Sequence, residues 1–272
     1  MFNPLRRKKT VAKKVVYTCL FGFSEKFQDV HYEKDGETDF VCLTDDPDLK
    51  SDFWDIRLCP QSLLDSHRYS KSFKHRPHKI FRNYDDSLYI DNTVKLKTKI
   101  GEIFNLLHES NKDILLFKHP WRDCIYDEAK EIIDNSLDDE DTVRRQMLHY
   151  EWKGFPRNAG LHATTVLLRR HMRPSVIDIM DTWHDQVLRF SKRDQLSLDV
   201  CRRFLNADLG HLPGSLLDNQ IMTWPVMIDG IRLPRDFDEK LYLTLNPDLS
   251  DLGMNLRKHY LTYGIKDGRK YK

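Results

Sequence analysis

The sequence contains no long apolar segment. Among its 272 residues, no run approaches the roughly 20 consecutive apolar residues that a membrane-spanning helix requires, so no transmembrane segment is expected. The N-terminal residues also lack the apolar centre of a secretory signal. Together these absences predict a soluble, cytoplasmic protein.

The chain also has little excess charge of either sign. Its 44 Lys and Arg residues nearly balance its 42 Asp and Glu residues, which leaves a formal net charge of +2 and argues against nucleic acid as a partner. The only concentrated basic run lies between Arg6 and Lys14. We interpret residues 1–13 as a basic tail, which is either solvated or makes a peripheral contact with a membrane that carries anionic lipid.

Several common site motifs are absent. The five cysteines are widely spaced and form no C-x-x-C pair, which predicts free thiols rather than a zinc site. There is no P-loop, no H-E-x-x-H helix, no G-x-S-x-G elbow and no G-x-G-x-x-G after the first apolar run. These absences disfavour NTPases, zinc proteases, serine hydrolases and dinucleotide-binding enzymes.

What the sequence does contain is an alternation of short apolar segments with segments of helical spacing. Apolar runs that stop at polar loops are typical of buried strands, and they predict strands over 15–22, 39–44, 54–58, 87–92, 113–117 and 164–168. Helices are predicted over 70–82 (bent or restarted at Pro77), 96–107, 126–133, 142–152, 174–190 and 193–204. The alternation predicts an α/β domain over 14–232, followed by a small helical module over 233–272.

Polar residues that end strands are the first site candidates, because open α/β sheets bind ligands at the carboxyl ends of their strands. Asp91 directly follows an apolar strand, so it can hold a divalent cation or a ribose, or cap the next helix. Upstream, helical spacing places Lys71, Lys74 and His78 on one helix face. That face can neutralise a diphosphate, or it is simply a solvated basic surface.

Two further segments concentrate charge. His119 and Arg122 directly follow a predicted strand, with Glu128 further along, so this segment is either part of a site or a salt-bridged corner. Asp194 and Gln195 begin a predicted helix, where they can bind sugar hydroxyls or form a plain helix cap.

Taken in order, these segments resemble a family that contains plant mucilage-synthesis glycosyltransferases and the TOD-type proteins. The resemblance covers roughly residues 14 to 225 and rests on Val16-Tyr17-Thr18, Phe21-Gly22, Leu43-Thr44-Asp45, Ser70-Lys71 to Lys79, Tyr89-Ile90-Asp91, His119-Pro120, Arg122, Cys124, Tyr126, Glu128 and Arg193 to Ser197. It implies a GT-A-like (Rossmann-like) mixed sheet flanked by helices. It also implies transfer of a sugar from a nucleotide-sugar donor to a glycan or other hydroxyl acceptor, in surface polysaccharide or glycoconjugate synthesis.

The resemblance further implies roles for particular residues. The donor would contact Thr18, Phe21, Gly22, Asp45, Ser70, Lys71, Lys74, Lys79 and Asp91. The transferred sugar or the acceptor would face His119, Arg122, Asp194 and Gln195. Among these, Asp194 is the predicted base or ion-pairing carboxylate at the anomeric carbon.

The resemblance also implies a metal cofactor. GT-A enzymes commonly hold Mn²⁺ or Mg²⁺ with a D-x-D pair, whereas Asp91-Asn92-Thr93 supplies only its first carboxylate. A water, the donor diphosphate or His211 would have to complete the shell around Asp91.

Two other functions remain open. The missing second carboxylate supports a non-catalytic sugar-binding or scaffolding protein of the same fold. One plant member of the family carries the name of an alkaline ceramidase, but no membrane span and no nucleophile-base motif supports a lipid amidase here.

The C-terminal residues resemble a short module that recurs beside bacterial carbohydrate-active proteins. The resemblance rests on Tyr242-Leu243, Asn246-Pro247-Asp248-Leu249, His259-Tyr260 and Asp267-Gly268-Arg269. Two short helices separated by the Asn-Pro turn are expected. This module either docks a glycan or partner through its aromatic side chains, or it is a packing cap.

Overall fold

A computed structural model describes residues 13–23, 25–60, 62–225, 233–234, 236–250, 256–265 and 267–272. Its strands are β1 (Lys14–Leu20), β2 (Thr38–Thr44), β3 (Asp55–Leu58), β4 (Asp86–Ile90), β5 (Lys95–Leu96), β6 (Ile114–Lys118), β7 (His162–Arg169), β8 (Gly210–His211) and β9 (Met222–Thr223). Its helices are α1 (Ser66–His75), α2 (Pro77–Ile80), α3 (Ile100–Glu109), α4 (Ile125–Asp134), α5 (Glu140–Trp152), α6 (Pro174–Arg189), α7 (Gln195–Phe204), α8 (Glu239–Leu245) and α9 (Leu256–His259). The predicted basic tail over 1–13 lies, apart from Lys13, outside the described residues.

The central sheet is mixed. Every residue of β1 is buried, as expected of a strand covered on both faces. β1 pairs in parallel with β2 and β4, and β2 pairs in parallel with β3. β7 is antiparallel to both β4 and β6, so the strand order is β3-β2-β1-β4-β7-β6-β8. The prediction of an α/β fold with a mixed sheet flanked by helices is confirmed.

Two apolar layers cover the sheet, because alternate residues of a strand point to opposite faces. Val16 belongs to the layer that contains Phe104 of α3, and Val15 belongs to the layer that contains Trp183 of α6. Full burial of a side chain such as Phe104 contributes about 1.5–3 kcal/mol to stability. On the second face, α1 packs against α6 and α6 packs against α7, which brings the basic helix α1 close to the start of α7.

The predicted interruption at Pro77 is confirmed, since α1 ends at His75 and α2 begins at Pro77. The prediction that His78 shares a face with Lys71 and Lys74 is wrong. The interruption turns His78 toward α6, where its Nε2 lies 3.2 Å from Oδ1 of Asp181. Proline causes this change of direction because it lacks an N–H and its ring clashes with the preceding helical turn.

The remaining differences from the sequence prediction are small. β5, β8 and β9 were not predicted, and each has only two residues, too few to show a periodicity. All five cysteines are free and buried, as expected. Within the described ranges, no helix combines the length and the apolar character needed to cross a membrane.

The C-terminal module contains α8, a 3₁₀ turn at Pro247–Leu249, α9 and a π-helical turn at Tyr260–Gly264. The predicted pair of helices separated by an Asn-Pro turn is therefore confirmed. The module has a small apolar core of its own, which includes Phe237, Tyr242 and Tyr260. The domain boundary at 233 stays a prediction, because residues 226–232 are not among those described.

Candidate functional site

A cavity of about 210 Å³ opens where the carboxyl ends of β1 and β4 meet the start of α1. Its lining consists of Cys19, Phe21, Glu25, Ser66, His67, Ser70, Lys71, Tyr89, Asp91, Asn92 and Thr93. The structure thus brings together four of the predicted donor-binding residues, Phe21, Ser70, Lys71 and Asp91. A larger hollow of about 370 Å³ lies at the amino end of β6, and none of the predicted site residues line it.

Gly22 and Asp45 are joined by hydrogen bonds beside this cavity. The Gly22 N–H donates to Oδ1 and Oδ2 of Asp45 at 3.1 and 3.2 Å. Gly22 has a φ of +77°, and a Cβ at this position would lie only 2.4 Å from Oγ of Ser66. Glycine is therefore required both by the backbone conformation and by the close approach of α1.

Lys74 and Asp194 form a buried ion pair at the centre of the site. The Lys74 Nζ lies 2.8 Å from Oδ2 of Asp194, donates to Oγ1 of Thr164 at 3.2 Å and lies 3.8 Å from Oδ1 of Asp91. Burial alone would lower the pKa of Lys74, but the carboxylates of Asp194 and Asp91 outweigh burial and raise it. Lys74 therefore remains charged and links the two carboxylates.

Asp194 has further donors around it. Lys71 Nζ lies 3.1 Å from Asp194 Oδ2, and Thr164 Oγ1 donates to Asp194 Oδ1 at 3.2 Å. Burial alone would raise the pKa of Asp194, but the positive charges of Lys71 and Lys74 hold it well below its usual range. The side chain makes no helix-capping hydrogen bond, so the interpretation of Asp194 as a plain N-cap is wrong.

His75 approaches the same carboxylate in its neutral form. Burial is the main reason that the pKa of His75 falls to about 3. Its Nε2 lies 3.3 Å from Oδ2 of Asp194, and an ionised carboxylate can only accept, so we assign the imidazole proton to Nε2. The ring stacks on Trp183 with centroids 3.7 Å apart, and Trp183 Nε1 donates to the Asp194 carbonyl at 2.8 Å.

A second buried cation fixes the backbone at the end of α1. Arg169 is fully buried, and its Nη1 donates to the Lys74 carbonyl at 2.9 Å while its Nη2 donates to the Tyr17 hydroxyl at 2.5 Å. The Tyr17 hydroxyl donates to the same Lys74 carbonyl at 2.9 Å. These bonds satisfy a carbonyl that the break after α1 leaves without a helical partner, and they hold Lys74 in position.

Asp91 faces the cavity and does not cap a helix. The Tyr89 hydroxyl donates to its Oδ1 at 2.7 Å. Asn92 also lines the cavity, but both polar atoms of its side chain are already bonded: its Oδ1 accepts from the Gln28 N–H and its Nδ2 donates to the Lys26 carbonyl, both at 2.8 Å. Thr93, in the position of the second D-x-D carboxylate, lines the cavity. Asp91 is thus the acidic group of this segment.

His211, the other predicted metal ligand, lies on β8 and pairs with His162. The two Nε2 atoms are 3.1 Å apart, and His162 Nδ1 lies 2.7 Å from Oδ1 of the buried Asp199. Among the described residues, no group of three or more His, Cys, Asp or Glu side chains is arranged to hold a metal ion. A shared metal site of Asp91 and His211 stays a prediction.

His119 and Arg122 form a separate cluster at the end of β6. Arg122 Nε lies 2.6 Å from Oε2 of Glu128, Arg122 Nη1 lies 3.3 Å from Oε2 of Glu131, and His119 Nε2 lies 3.7 Å from the Glu128 oxygen. Burial is the largest cause that lowers the pKa of His119. The charge of Glu128 raises this pKa, and the charge of Arg122 lowers it by a smaller amount. This geometry is that of the salt-bridged corner, and a role toward the acceptor stays a prediction.

Three predicted residues lie apart from the cavity. Lys79 pairs with Asp181 on α6 at 3.5 Å, because α2 diverges from α1. Thr18 is buried within β1. Gln195 is the half-buried first residue of α7, next to Asp194.

Several residues that hold the site together were not predicted. Thr164, Trp183 and Arg169 contact Lys74 or Asp194 as described above, yet each comes from a segment whose spacing is that of ordinary core. His67 and His75 are different, since each is four residues from Lys71 on the basic helix; His67 lines the same cavity, and His75 contacts Asp194. Helical spacing alone would have placed both on the face of Lys71.

Comparisons with known proteins concern the family and the fold of the chain. A family model described as TOD1/MUCI70, glycosyltransferase-like domain, matches residues 10–212. No curated protein matches the sequence.

Solved structures with a similar fold include mouse xyloside xylosyltransferase 1 in its apo form, at 11% identity and a TM-score of 0.42, with 74% of this chain and 85% of that chain covered. Another is the apo form of the bifunctional glycosyltransferase WbbM, at 11% identity and a TM-score of 0.40, with 78% of this chain and 40% of that chain covered.

Proposed function

The chain belongs to the TOD1/MUCI70 family of glycosyltransferase-like domains, and we propose that it transfers a sugar from a nucleotide-sugar donor to a hydroxyl of a glycan or another acceptor. The observation that carries this proposal is the cluster of Lys71 and Lys74 around Asp194, with Asp91 beside it on the cavity wall. Two cations and two carboxylates at the carboxyl end of an α/β sheet suit a diphosphate-bearing ligand.

In this reaction the bond between the anomeric carbon and the diphosphate oxygen breaks, and the acceptor oxygen bonds to the anomeric carbon while its proton leaves. Negative charge grows on the departing diphosphate, and a preorganised cation at that position lowers the barrier. Lys71 is suited to this task, since its side chain lines the cavity and is 20% exposed. Lys74 is 1% exposed, so we assign it to positioning the two carboxylates.

Asp194 is better suited to ion pairing than to proton abstraction. The positive charges around it keep its pKa well below the usual range, and a general base works best when its pKa is close to the working pH. We therefore propose that Asp194 holds Lys71 in place for the diphosphate.

A divalent cation fits the oxygen groups of this cavity only together with phosphate. Mg²⁺ and Mn²⁺ favour oxygen ligands, and Mg²⁺ is usually held by one or two carboxylates plus substrate phosphates. Asp91, whose Oδ1 accepts from Tyr89 and lies 3.8 Å from Lys74 Nζ, would hold such a cation together with the donor phosphates. The cation would neutralise part of the diphosphate charge.

A second function has one observation in its favour. Thr93 replaces the second acidic residue of the D-x-D pair, and Lys74 already lies 3.8 Å from Asp91. An ammonium group in place of part of a metal shell suits a protein that binds sugar nucleotides or glycans without transferring them. Turnover distinguishes the two functions.

The cellular location is also a proposal. All five cysteines are free and buried, which agrees with a reducing compartment. We propose that the protein works in the cytoplasm.

The experiment that tests the proposed function measures binding and turnover. Thermal stability of the purified chain is followed against a panel of nucleoside diphosphates and nucleotide sugars with Mg²⁺ or Mn²⁺, and release of nucleoside diphosphate is followed with acceptor present. A ligand at 100 times its dissociation constant stabilises the native state by about 2.7 kcal/mol. Asp91→Ala should abolish the shift for the true donor.

Asp181→Ala is the matched control, because Asp181 pairs with His78 and Lys79 outside the cavity. It should bind and turn over the donor like the unchanged protein. Binding without release of diphosphate would favour the non-catalytic function, and no shift with any nucleotide would reject the nucleotide-sugar donor and with it the proposed transfer.

A further inference from the structure

Arg257, in the C-terminal module, reaches the edge of the proposed donor cavity. Its Nη1 donates to the Gly22 carbonyl at 3.3 Å, and its Nε donates to Oε1 of Glu239 at 2.6 Å. Its side chain is 18% exposed. Residue 257 lies outside residues 10–212, the part matched by the family model, so the family match does not account for this contact.

The contact places Arg257 beside groups that line or border the cavity. A Cβ on Gly22 would meet Oγ of Ser66 at 2.4 Å and Nη1 of Arg257 at 2.9 Å, so Arg257 is close to the first turn of α1. Burial raises the pKa of Asp45, and the Gly22 N–H and the positive charge of Arg257 counter it. Arg257 is therefore close enough for its positive charge to affect the carboxylate of Asp45, which directly follows β2.

His67 lines the cavity together with Lys71. Burial and then the positive charges of Lys192 and Lys71 lower the pKa of His67 to about 4, while Asp65 opposes them and Arg257 adds a smaller effect in the same direction. Lys71 shares its carboxylate, Asp194, with Lys74.

Positive charges that act on the same imidazole also repel one another, and a bound polyanion offsets that repulsion. A guanidinium carries more N–H donors than its bonds to Gly22 and Glu239 use, and its planar fork matches the geometry of phosphate oxygens. Glu239 keeps the guanidinium oriented without lying on the cavity wall.

We propose that Arg257 completes an anion site with Lys71, so that the C-terminal module itself binds the diphosphate of the donor. This inference rests on the proposed function. The module is then part of the donor site rather than a packing cap, and diphosphate binding holds it against the loop that follows β1.

The test is calorimetric titration of the full chain with inorganic pyrophosphate and, separately, with a panel of nucleoside diphosphates. Arg257→Ala should weaken both by about 10- to 100-fold, the loss expected for a hydrogen bond between charged groups. Lys240→Ala removes an equal charge from an exposed position of the same module and should change binding by less than about twofold. Higher salt should weaken binding to the unchanged protein more than to Arg257→Ala.

A second variant distinguishes direct contact between Arg257 and the anion from an effect of Arg257 on the position of the C-terminal module. Glu239→Gln removes the ion pair of Arg257 but leaves its guanidinium, and it should keep most of the pyrophosphate affinity. Equal losses in Arg257→Ala and Glu239→Gln would mean that the module is only a structural support, which overturns the inference.

The remaining outcomes distinguish failure of this inference from failure of the proposed function. If nucleoside diphosphates bind equally well to Arg257→Ala and the unchanged chain, the inference fails while the proposed function stands. If pyrophosphate binds through Arg257 but no nucleotide binds, the anion site stands and the nucleotide-sugar donor is rejected. If neither binds the unchanged chain, both proposals fail.

Discussion

The ammonium group of Lys74, on α1, lies 2.8 Å from the carboxylate of Asp194, which immediately precedes α7. Both side chains are almost fully buried, and the Coulomb attraction between them offsets the large cost of removing each charge from water. The pair therefore joins α1 to the segment that begins α7, and Lys71, which lines the cavity, contacts the same carboxylate.

Asp194→Asn should strongly destabilise the protein. The substitution keeps the shape of the side chain but leaves the Lys74 charge buried without its main partner, which typically costs about 3–5 kcal/mol. Chemical denaturation gives the free energy of unfolding. The control, Asp181→Asn, removes a 39%-exposed carboxylate that pairs with Lys79 and should cost about 1 kcal/mol or less. Similar losses in the two variants would contradict the central place of Asp194.

Gly22→Ala and Gly36→Ala separate backbone strain from steric contact. Both glycines have a φ of +77°, but a Cβ on Gly36 meets nothing within 4 Å, whereas one on Gly22 would lie 2.4 Å from Ser66 Oγ. Gly36→Ala should therefore cost about 1–2 kcal/mol of unfolding free energy with normal nucleotide binding. Gly22→Ala should cost more and weaken nucleotide binding as well, measured by denaturation and calorimetry. Equal effects of the two variants would argue against the close packing of α1 at Gly22.

Local patterns predicted those site residues that depend only on their own segment. Asp91 directly follows a buried apolar strand, and Lys71 and Lys74 are three residues apart on a helix, so strand ends and helical spacing place all three near one edge of the sheet. The same reasoning failed for His78, because Pro77 restarts the helix and sends the side chain to Asp181.

Contacts between distant segments could not be predicted from one sequence. The meeting of Lys74 with Asp194 depends on how α1, α6 and α7 pack on the sheet, and the stacking of His75 on Trp183 depends on the same packing. The contact of Arg257 with Gly22 joins the two ends of the described chain. No periodicity or motif encodes such tertiary contacts.

The protein should lose stability as the pH falls below neutrality. His171 and His184 are almost fully buried, and burial is the main reason that the pKa of each falls to about 4. Unfolded, each would titrate at about 6.5, so the unfolded chain binds more protons between about pH 6.5 and about pH 4. Stability is therefore full above about pH 6.5 and declines below it, by up to about 1.4 kcal/mol per pH unit for each group.

Guanidinium unfolding at about pH 7 and about pH 5 measures this decline. His184→Gln removes one titrating group and should make the difference between the two conditions smaller. Asp194 contributes only at lower pH, because its pKa lies below its usual range. An unfolding free energy that is the same under both conditions would show that these imidazoles are not buried in the neutral form.

Thr93→Asp should strengthen the proposed cation site at Asp91. Thr93 and Asp91 line the same cavity, and a second carboxylate at residue 93 would restore the D-x-D spacing. Added ligand charge raises the affinity of an oxygen site for Mg²⁺ and Mn²⁺, so Mn²⁺ should bind measurably tighter in calorimetry without any nucleotide. Thr223→Asp is the control: Thr223 is exposed on β9 and does not line the cavity, so the same added charge there should not create the site. If Mn²⁺ binds Thr93→Asp no better than Thr223→Asp, residue 93 does not face a cation, and Asp91 would act on the donor through Lys74 or the ribose instead.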